Sequence, residues 1–378
     1  MTDIHHSVVV IGAGQAGLAM GALLQSAGID YLILGQEGKI GDTWRYRYDS
    51  LVLFTPRWLN RLPLDAGPPP QLDGYPDKDE VAAYLEHYAS SKQLNVMLNT
   101  RVLALHQHEG SFVLDTCNGK LMADSVVIAT GPFQKPYVPD FAAKLPSDIL
   151  QIHTAHYRSA QQLQPGNVVV VGAGNSGAQI AVELCDTRPV HVSAGRPLSF
   201  MPQTLFGKSI FWWFQKLGIY GAHINTAVGR RLSRRPDPVI GKALKQRLKR
   251  GQVRLLSRVV DVQDGELMLA EGGRLAASNV IWATGFRSDY SWLQVANVLD
   301  SRGKPLHHRG VTEVPGLFFL GLPWQYSRKS ALIGGVGDDA DHLMTILVER
   351  LAKLEGCKQQ SNKGEGGQEY GIGSHIQH

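Results

Sequence analysis

One pattern in this chain occurs twice. Residues 8–20 read VVVIGAGQAGLAM and residues 168–180 read VVVVGAGNSGAQI. Each is a β-branched apolar run, then glycine-x-glycine-x-x-glycine, then small helix formers. A second echo follows each copy: VVIATG at 126–131 and VIWATG at 280–285. From first glycine to ATG glycine is 119 residues in one copy (Gly12 to Gly131) and 113 in the other (Gly172 to Gly285). A short β-branched run predicts a buried strand, and small residues after a glycine turn predict a helix. Strand, helix and next strand joined by short loops imply parallel pairing by right-handed crossover. The expected fold is therefore α/β, with two Rossmann-like dinucleotide-binding units in one polypeptide.

The chemistry follows from backbone geometry. A helix N-terminus offers free N–H groups and the positive end of the helix dipole, which suits a phosphate. Gly12 permits the tight turn, Gly14 lets the backbone approach a pyrophosphate beside Gln15 and Ala16, and Gly17 lets the helix pack on its strand. Gly172, Gly174 and Gly177 repeat this arrangement. The end of the next strand selects the nucleotide, an acid for ribose hydroxyls and a base for a 2′-phosphate. In the second unit that strand, Val190–Ala194, holds no acid, and Arg196 follows it. Its planar guanidinium suits a phosphate, so NADPH is expected there. In the first unit the acid position is Gly35, and Glu37 stands two residues later as the ribose clamp. A hydride donor in one unit makes FAD the expected occupant of the other.

Composition narrows the class. Among 378 residues, 38 Lys and Arg against 33 Asp and Glu give +5, with 43% hydrophobic and 19% charged residues, as in a globular protein. The charge is local: Arg230 to Arg258 contains eleven Lys or Arg and one acid, Asp237. No aromatic platform interleaves that window, so nucleic acid is not the expected partner. A basic helix through Lys242, Lys245 and Lys249, drawing in anionic NADPH, is the plain reading. The neighbouring Phe211–Phe214 run leaves a peripheral membrane contact or a homodimer contact open. Three separate cysteines, Cys117, Cys185 and Cys357, form no CxxC and no Cys/His cluster, so neither a redox dithiol nor a metal site is expected. No apolar run is long enough to span a bilayer, and glycines interrupt the first apolar stretch, so a cytoplasmic location is expected. Helices are expected at Ala16–Ala27, Val81–Ser91, Gly177–Cys185 and Asp338–Leu354, and hairpins at 102–116 and 259–269. Residues 67–70 read Gly-Pro-Pro-Pro, a stiff surface loop, and residues 355–378 read as a disordered tail.

The chain up to about Arg350 resembles the flavin-containing monooxygenase superfamily, in particular a branch of bacterial flavoprotein oxidoreductases similar to the plant YUCCA monooxygenases. The resemblance rests on GAGQAG at 12–17, IGDTWRYRYDSLVLFTP at 40–56, VVIATGPFQKPYVP at 126–139 and HTAHY at 153–157. It continues through VVVVGAGNSGAQIAVEL at 168–184, IWATGF at 281–286 and GVGDDA at 335–340. It implies FAD on the first loop and NADPH on the second, with the NADPH domain (161–285) inserted between two parts of the FAD domain (1–160 and 286–354). It implies FAD contacts at Thr43, Trp44, Arg45, Thr130, Gly131 and Asp338. It implies NADPH contacts at Asn175, Ser176, Ala283, Thr284 and Gly285. The superfamily fingerprint before the second loop is matched only by His153 and Tyr157. Tyr157 stands where Baeyer–Villiger enzymes carry Trp, and His153 reads equally as a packed linker histidine. Thr55-Pro56 replaces the Thr-Asn of mammalian-type enzymes, so the amide near the flavin is missing or supplied elsewhere. The candidate catalytic residues are thus Trp44, Thr55, His153 and Tyr157. Trp44, Trp58, Trp324 and Tyr326 are candidate pocket walls or plain core.

The implied reaction is reduction of FAD by NADPH, formation of a C4a-(hydro)peroxyflavin with molecular oxygen, and transfer of one oxygen atom to a small-molecule substrate. That substrate would be a soft nitrogen or sulfur nucleophile or a carbonyl. An NAD(P)H oxidase or flavin reductase, passing electrons to oxygen, a metal ion or a protein without oxygenation, is the alternative. A non-catalytic nucleotide sensor is the third reading.

Overall fold

Two sheets, one mixed and one all-parallel, each organised round one glycine loop, account for the repeat. The computed structural model describes residues 4–65, 67 and 74–365, with side chains up to residue 356. In the first sheet Ile4–Ile11 lies between Tyr31–Leu34 and Gly119–Ile128, parallel to both. Val96–Met97 extends the Tyr31 edge. On the other side Ser111–Thr116 and Val102–His108 form an antiparallel meander. Leu317–Phe319 pairs in parallel with Val126–Ile128, so the chain returns to the first sheet after leaving it. The second sheet runs Val253–Leu256, Val190–Ser193, Val168–Val171, Asn279–Trp282, Leu150–His153, all parallel. The second unit is thus inserted into the first. Its sheet includes Leu150–His153, a strand that precedes residue 161. The fingerprint stretch ending at His153 is an edge strand of the second sheet rather than the tail of the first unit.

The central strands read as unbroken apolar runs because parallel strands are covered on both faces. Val8, Val9 and Val10 are fully buried, as are Val168, Val169 and Val170. The loop helices are Gln15–Ser26 and Asn175–Leu184, starting one or two residues before the sequence reading placed them. The first closes at Ala27, followed by Gly28 at φ +68°. The Lys78–Ser91 helix carries a full capping box, in which Asp77 accepts from Asp79 and Glu80.

After each ATG the chain passes through a common crossing. Lys135–Pro136 pairs antiparallel with Phe286–Arg287. Phe133 meets Phe286 edge-on at 5.2 Å, and the Arg47 guanidinium lies 5.1 and 5.4 Å from their ring centres. Between its third and fourth sequential strands, Val190–Ser193 and Val253–Leu256, the inserted unit sends out residues 196–242, including the helices Ile210–Lys216 and Ala227–Ser233. This excursion lays Ile210 and Phe211 against Leu59 and Phe54 of the first unit. The last helix runs Val336–Glu365, longer at both ends than the sequence implied. The expected tail from 355 therefore starts as helix, and residues 366–378, like the prolines at 68–70, lie outside the described residues. Among the described residues no helix is long and apolar enough to cross a membrane.

Candidate functional site

The two glycine loops have the same geometry. Gly12 sits at φ +116° and Gly172 at φ +107°, where a side chain is strained. A Cβ on Gly12 would meet the carbonyl oxygen of Ala129, and one on Gly172 that of Ala283. Each loop therefore rests on its own ATG strand, held by Ala129 N–H to Ile11 and Ala283 N–H to Val171, both at 2.8 Å. Cβ atoms on Gly17 and Gly177 would collide with the carbonyls of Gly12 and Gly172. Gly14 and Gly174 are different: a Cβ on either meets nothing within 4 Å. They are the N-caps of the loop helices, and neither helix has a side-chain cap. Two helix N-termini thus stand open with backbone exposed, the arrangement that receives a pyrophosphate.

Glu37 supplies the acid that Gly35 lacks. A Cβ on Gly35 would lie 2.8 Å from Ala13 and 2.9 Å from Leu98, so no acid fits there. The Glu37 carboxylate folds back instead, with Oε2 3.3 Å from that position. This oxygen is buried without a hydrogen-bond partner among the described residues. Burial pushes the Glu37 carboxyl above its ordinary value, and nearby Asp42 adds to the rise. An orphaned buried acceptor beside an open phosphate cradle fits a ribose diol.

The loop after it is tightly braced. Asp42 accepts from the Lys39 N–H at 2.9 Å and from Arg45 at 3.1 Å. Arg45 also donates to Ile40 O at 2.7 Å and pairs with Glu86. Arg45 is thus a brace between this loop and the Lys78–Ser91 helix, while Trp44 is half-buried on the core and Thr43 is exposed. Thr130 accepts from Gln134 at 2.9 Å beside Gly131, which is at φ +69°. Thr55 is buried and donates to Asn60 Oδ1 at 2.8 Å, and Asn60 donates in turn to the carbonyls of Thr55 and Pro56 at 3.1 and 3.2 Å. Position 56 is thus Pro, and the amide of Asn60 is spent on the Thr55–Pro56 backbone and the Thr55 hydroxyl.

At the last helix the acid turned inward is Asp339 rather than Asp338. Because the helix starts at Val336, Asp338 points outward to Lys329. Asp339 is 2% exposed, bonds Arg309 through Oδ1 at 3.0 Å, and leaves Oδ2 buried and unpartnered among the described residues. Its signal was readable: Val336, Asp339, Ala340, Leu343 and Leu347 share one buried helical face. Arg309 lies 4.0 Å over Tyr326, which stacks on His223 at 4.7 Å and 4°. Trp58 packs under the excursion, and Trp324 is half-buried at φ +57°.

In the second cradle Ser176 is exposed, but Asn175 is engaged. Its Oδ1 accepts from the Ile240 N–H at 2.8 Å, which holds the short strand Val239–Ile240 against the loop. Arg196 is exposed and lines a small cavity with Ala173, Pro236 and Asp237. The Thr284 hydroxyl donates to the Tyr137 carbonyl, and Gly285 O accepts from the Tyr137 N–H at 3.0 Å. His153 is buried and bonds that same carbonyl. Tyr157 is fully buried and donates to Glu183 at 2.8 Å, and burial and that carboxylate push its phenol upward. Both fingerprint residues therefore brace the inserted unit.

The cradles are joined by the segment after Trp44. Tyr48 is 2% exposed and packs in the core of the second unit. Its hydroxyl donates to Gln179 at 3.0 Å, Ser50 donates to Glu183 at 2.5 Å, and Gln179 donates to Val52 O at 2.9 Å. Tyr48 carried no sequence signal. It occupies the core of a unit that begins a hundred residues later in the chain.

Residues 9–199 match the family described as pyridine nucleotide-disulphide oxidoreductase. The chain is 54% identical over 343 residues to a Geobacillus kaustophilus protein described as an uncharacterized oxidoreductase CzcO-like, across 90% of this chain and 98% of that protein. It is 30% identical over 342 residues to indole-3-pyruvate monooxygenase YUCCA1 of rice, across 81% of this chain and 82% of that one. The structure superposes on the flavin-containing monooxygenase of Stenotrophomonas maltophilia with a TM-score of 0.75 and 26% identity, across 92% and 99% of the two chains. The chain therefore belongs to the pyridine nucleotide-disulphide oxidoreductase family and to the flavin-containing monooxygenases within that fold: it is a flavoprotein oxidoreductase whose dinucleotides are FAD and NADP(H).

Proposed function

We propose that this chain is an NADPH-consuming, FAD-dependent monooxygenase that oxygenates a small organic molecule, either a soft nitrogen or sulfur nucleophile or a carbonyl compound. One observation carries the reading: two uncapped helix N-termini, one beside the orphan carboxylate of Glu37 and the other beside Arg196. The FAD site belongs to the first sheet and the return segment 286–354, and the NADPH site to the inserted unit. When bound, NADPH supplies the hydride and FAD accepts it and meets oxygen. The protein's own residues bind and orient. Gly14 and Gly174 leave room for pyrophosphates, Glu37 accepts ribose hydroxyls, and Arg196 pairs with the 2′-phosphate. Tyr48 and Gln179 hold one cradle against the other. Trp44, Trp58 and Tyr326 keep water from the reacting groups. The reading places the chain in the cytoplasm.

Asn60 favours a second reading. Both amide protons are directed at backbone carbonyls, so this side chain offers no free donor to a developing oxyanion. An NAD(P)H oxidase or flavin reductase needs no such donor. The deciding measurement is stoichiometry with a thioether, a tertiary amine and a 2-oxo acid. One oxygenated product per NADPH supports the monooxygenase. One hydrogen peroxide per NADPH, with every substrate unchanged, supports the oxidase.

A further inference from the structure

We infer that the 204–217 tip of the inserted excursion docks on an anionic lipid surface. Thr204–Leu205 and Lys208–Ser209 form a two-stranded hairpin whose turn is Phe206-Gly207. Both turn residues have positive φ, 48° and 72°. That turn favours Asn-Gly or Gly-Gly, and a bulky residue there is strained. Phe206 is nevertheless 85% exposed. An aromatic ring held in a strained turn and presented to water is unfavourable on both counts unless something apolar receives it.

The surroundings extend the tip into a patch. Phe206 meets Trp213 edge-on at 6.2 Å, and Trp213 meets Trp212 at 4.8 Å. The Trp213 indole N–H donates to Leu205 O at 3.0 Å, pinning helix to hairpin. Lys216 lies 5.7 Å over Trp212, and Leu217 beside it is 67% exposed. The Ile210–Lys216 helix is thus two-sided. Ile210, Phe211 and Phe214 face Leu59 and Phe54, while Trp212, Trp213 and Lys216 stand with the tip. Tryptophan rings edged by lysines suit the boundary between water and acyl chains.

Charge selects the occupant. From Thr187 to Pro236 the sequence contains no Asp or Glu and eight Lys or Arg: Arg188, Arg196, Lys208, Lys216, Arg230, Arg231, Arg234 and Arg235. Lys208 and Lys216 flank the apolar tip and are exposed. An anionic headgroup layer complements this field, each nearby cation adding about fivefold in binding. A second copy of the chain would bring the same cations face to face. A tip of a few side chains is also far smaller than the roughly 800 Å² per partner that a stable dimer needs. The inner face of the excursion roofs Leu59 and Phe54, so docking would bring apolar solutes to that roof. The inference holds whether the enzyme oxygenates or only reduces.

The test is flotation of the full-length, FAD-loaded protein with vesicles of phosphatidylcholine alone and with added phosphatidylglycerol. Binding to the anionic vesicles at least tenfold over the neutral ones, weakened by 0.5 M salt, is expected. Phe206→Ser with Leu217→Ser should lower it at least about tenfold with the flavin spectrum unchanged, since both side chains are exposed. Lys208→Glu with Lys216→Glu should lower it about as much. Acyl-chain-brominated lipid should quench tryptophan emission in the wild type and not in Phe206→Ser. Failure to float with anionic vesicles at 0.1 M salt overturns the inference, as does binding that the Phe206 and Leu217 substitutions leave intact. A dimer in light scattering that Phe206→Ser dissociates, without vesicle binding, assigns the tip to a second copy instead.

Discussion

His153 Nε2 lies 3.0 Å from the carbonyl oxygen of Gly285, the glycine that closes the second ATG turn. His153 Nδ1 accepts the Ala155 N–H at 3.1 Å, so the ring proton sits on Nε2 and points at Gly285. A second proton would have to enter on Nδ1, against that N–H. Burial, the largest cause, holds the imidazole below its ordinary value of 6.5. A histidine kept neutral when folded contributes stability that is complete above about 6.5 and is lost as pH falls below it. His153→Gln should cost about 1–2 kcal/mol at pH 7.5 and flatten the fall in Tm between pH 7 and 5. Melting curves across that range decide it, and an unchanged slope would show that other groups set it.

Glu37 trades apoprotein stability for binding. Its folded carboxyl titrates above 4.5, so its favourable contribution is present below that value and lost as pH rises through the folded value. At pH 7 the apoprotein carries a desolvated carboxylate. Glu37→Gln should therefore leave the apoprotein at least as stable at pH 7. It should also weaken FAD about 10- to 100-fold, as expected for a lost hydrogen bond to a charged group. Fluorescence titration of apoprotein with FAD, beside the melting curves, checks both halves. Weaker FAD together with a lower apoprotein Tm would mark Glu37 as structural.

The glycines of one loop should separate cleanly. Gly14 has φ −81° and open space where a Cβ would point, whereas a Cβ on Gly17 strikes the Gly12 carbonyl. Gly14→Ala should keep the apoprotein Tm and lose FAD at least about tenfold, because the added methyl occupies the ligand's side. Gly17→Ala should lower the Tm of the apoprotein itself by several degrees through backbone displacement. Equal Tm losses in both would mean that Gly14 is packed after all.

This contrast shows what was legible in the sequence and what was not. The paired strands, loops and helices could be read because each glycine has a local backbone reason, and parallel strands need apolar residues on both faces. The insertion was legible from the second ATG, whereas Leu150–His153, an edge strand of the second sheet with only a weak apolar run, was not. Position 35 was read as lacking the acid and Glu37 as its substitute. Packing against Ala13 and Leu98, which no one-dimensional spacing contains, is why position 35 admits only glycine. The sequence reading named Asp338, where it set the helix start, and passed over Asp339 on the buried face with Val336, Ala340 and Leu343. Tyr48 acts through Gln179, 131 residues away, and carries no local pattern, whereas Asn60 folds back on Thr55 and Pro56.

Arg196 should discriminate between the nicotinamide nucleotides. It is exposed at the rim of the second cradle, and no acid lies in the strand before it. Arg196→Ala should raise the KM for NADPH about 10- to 100-fold and leave that for NADH within about threefold, the loss expected for a charge-assisted phosphate contact. Steady-state flavin reduction with both nucleotides measures the ratio. A parallel rise for both would move the 2′-phosphate elsewhere.

Gln179 tests whether the clasp between the units sets the distance for hydride transfer. Its side chain accepts from Tyr48 at 3.0 Å and from the Val52 N–H at 3.5 Å, and it donates to Val52 O at 2.9 Å. Gln179→Leu keeps the volume and removes all three contacts. It leaves the Tyr48 hydroxyl buried without this partner, at about 1–3 kcal/mol. Tm should fall by a few degrees. Each nucleotide's own cradle is untouched, so the Kd for FAD and for NADPH should stay within about twofold. The rate of flavin reduction at saturating NADPH should fall about tenfold or more, because a small misplacement of one cofactor against the other is enough to do so. Stopped-flow absorbance at the flavin band gives the rate and the saturation curve together. A loss of NADPH affinity at an unchanged limiting rate would make Gln179 part of the nucleotide cradle and leave the relative setting of the two units to the linker crossing under Arg47.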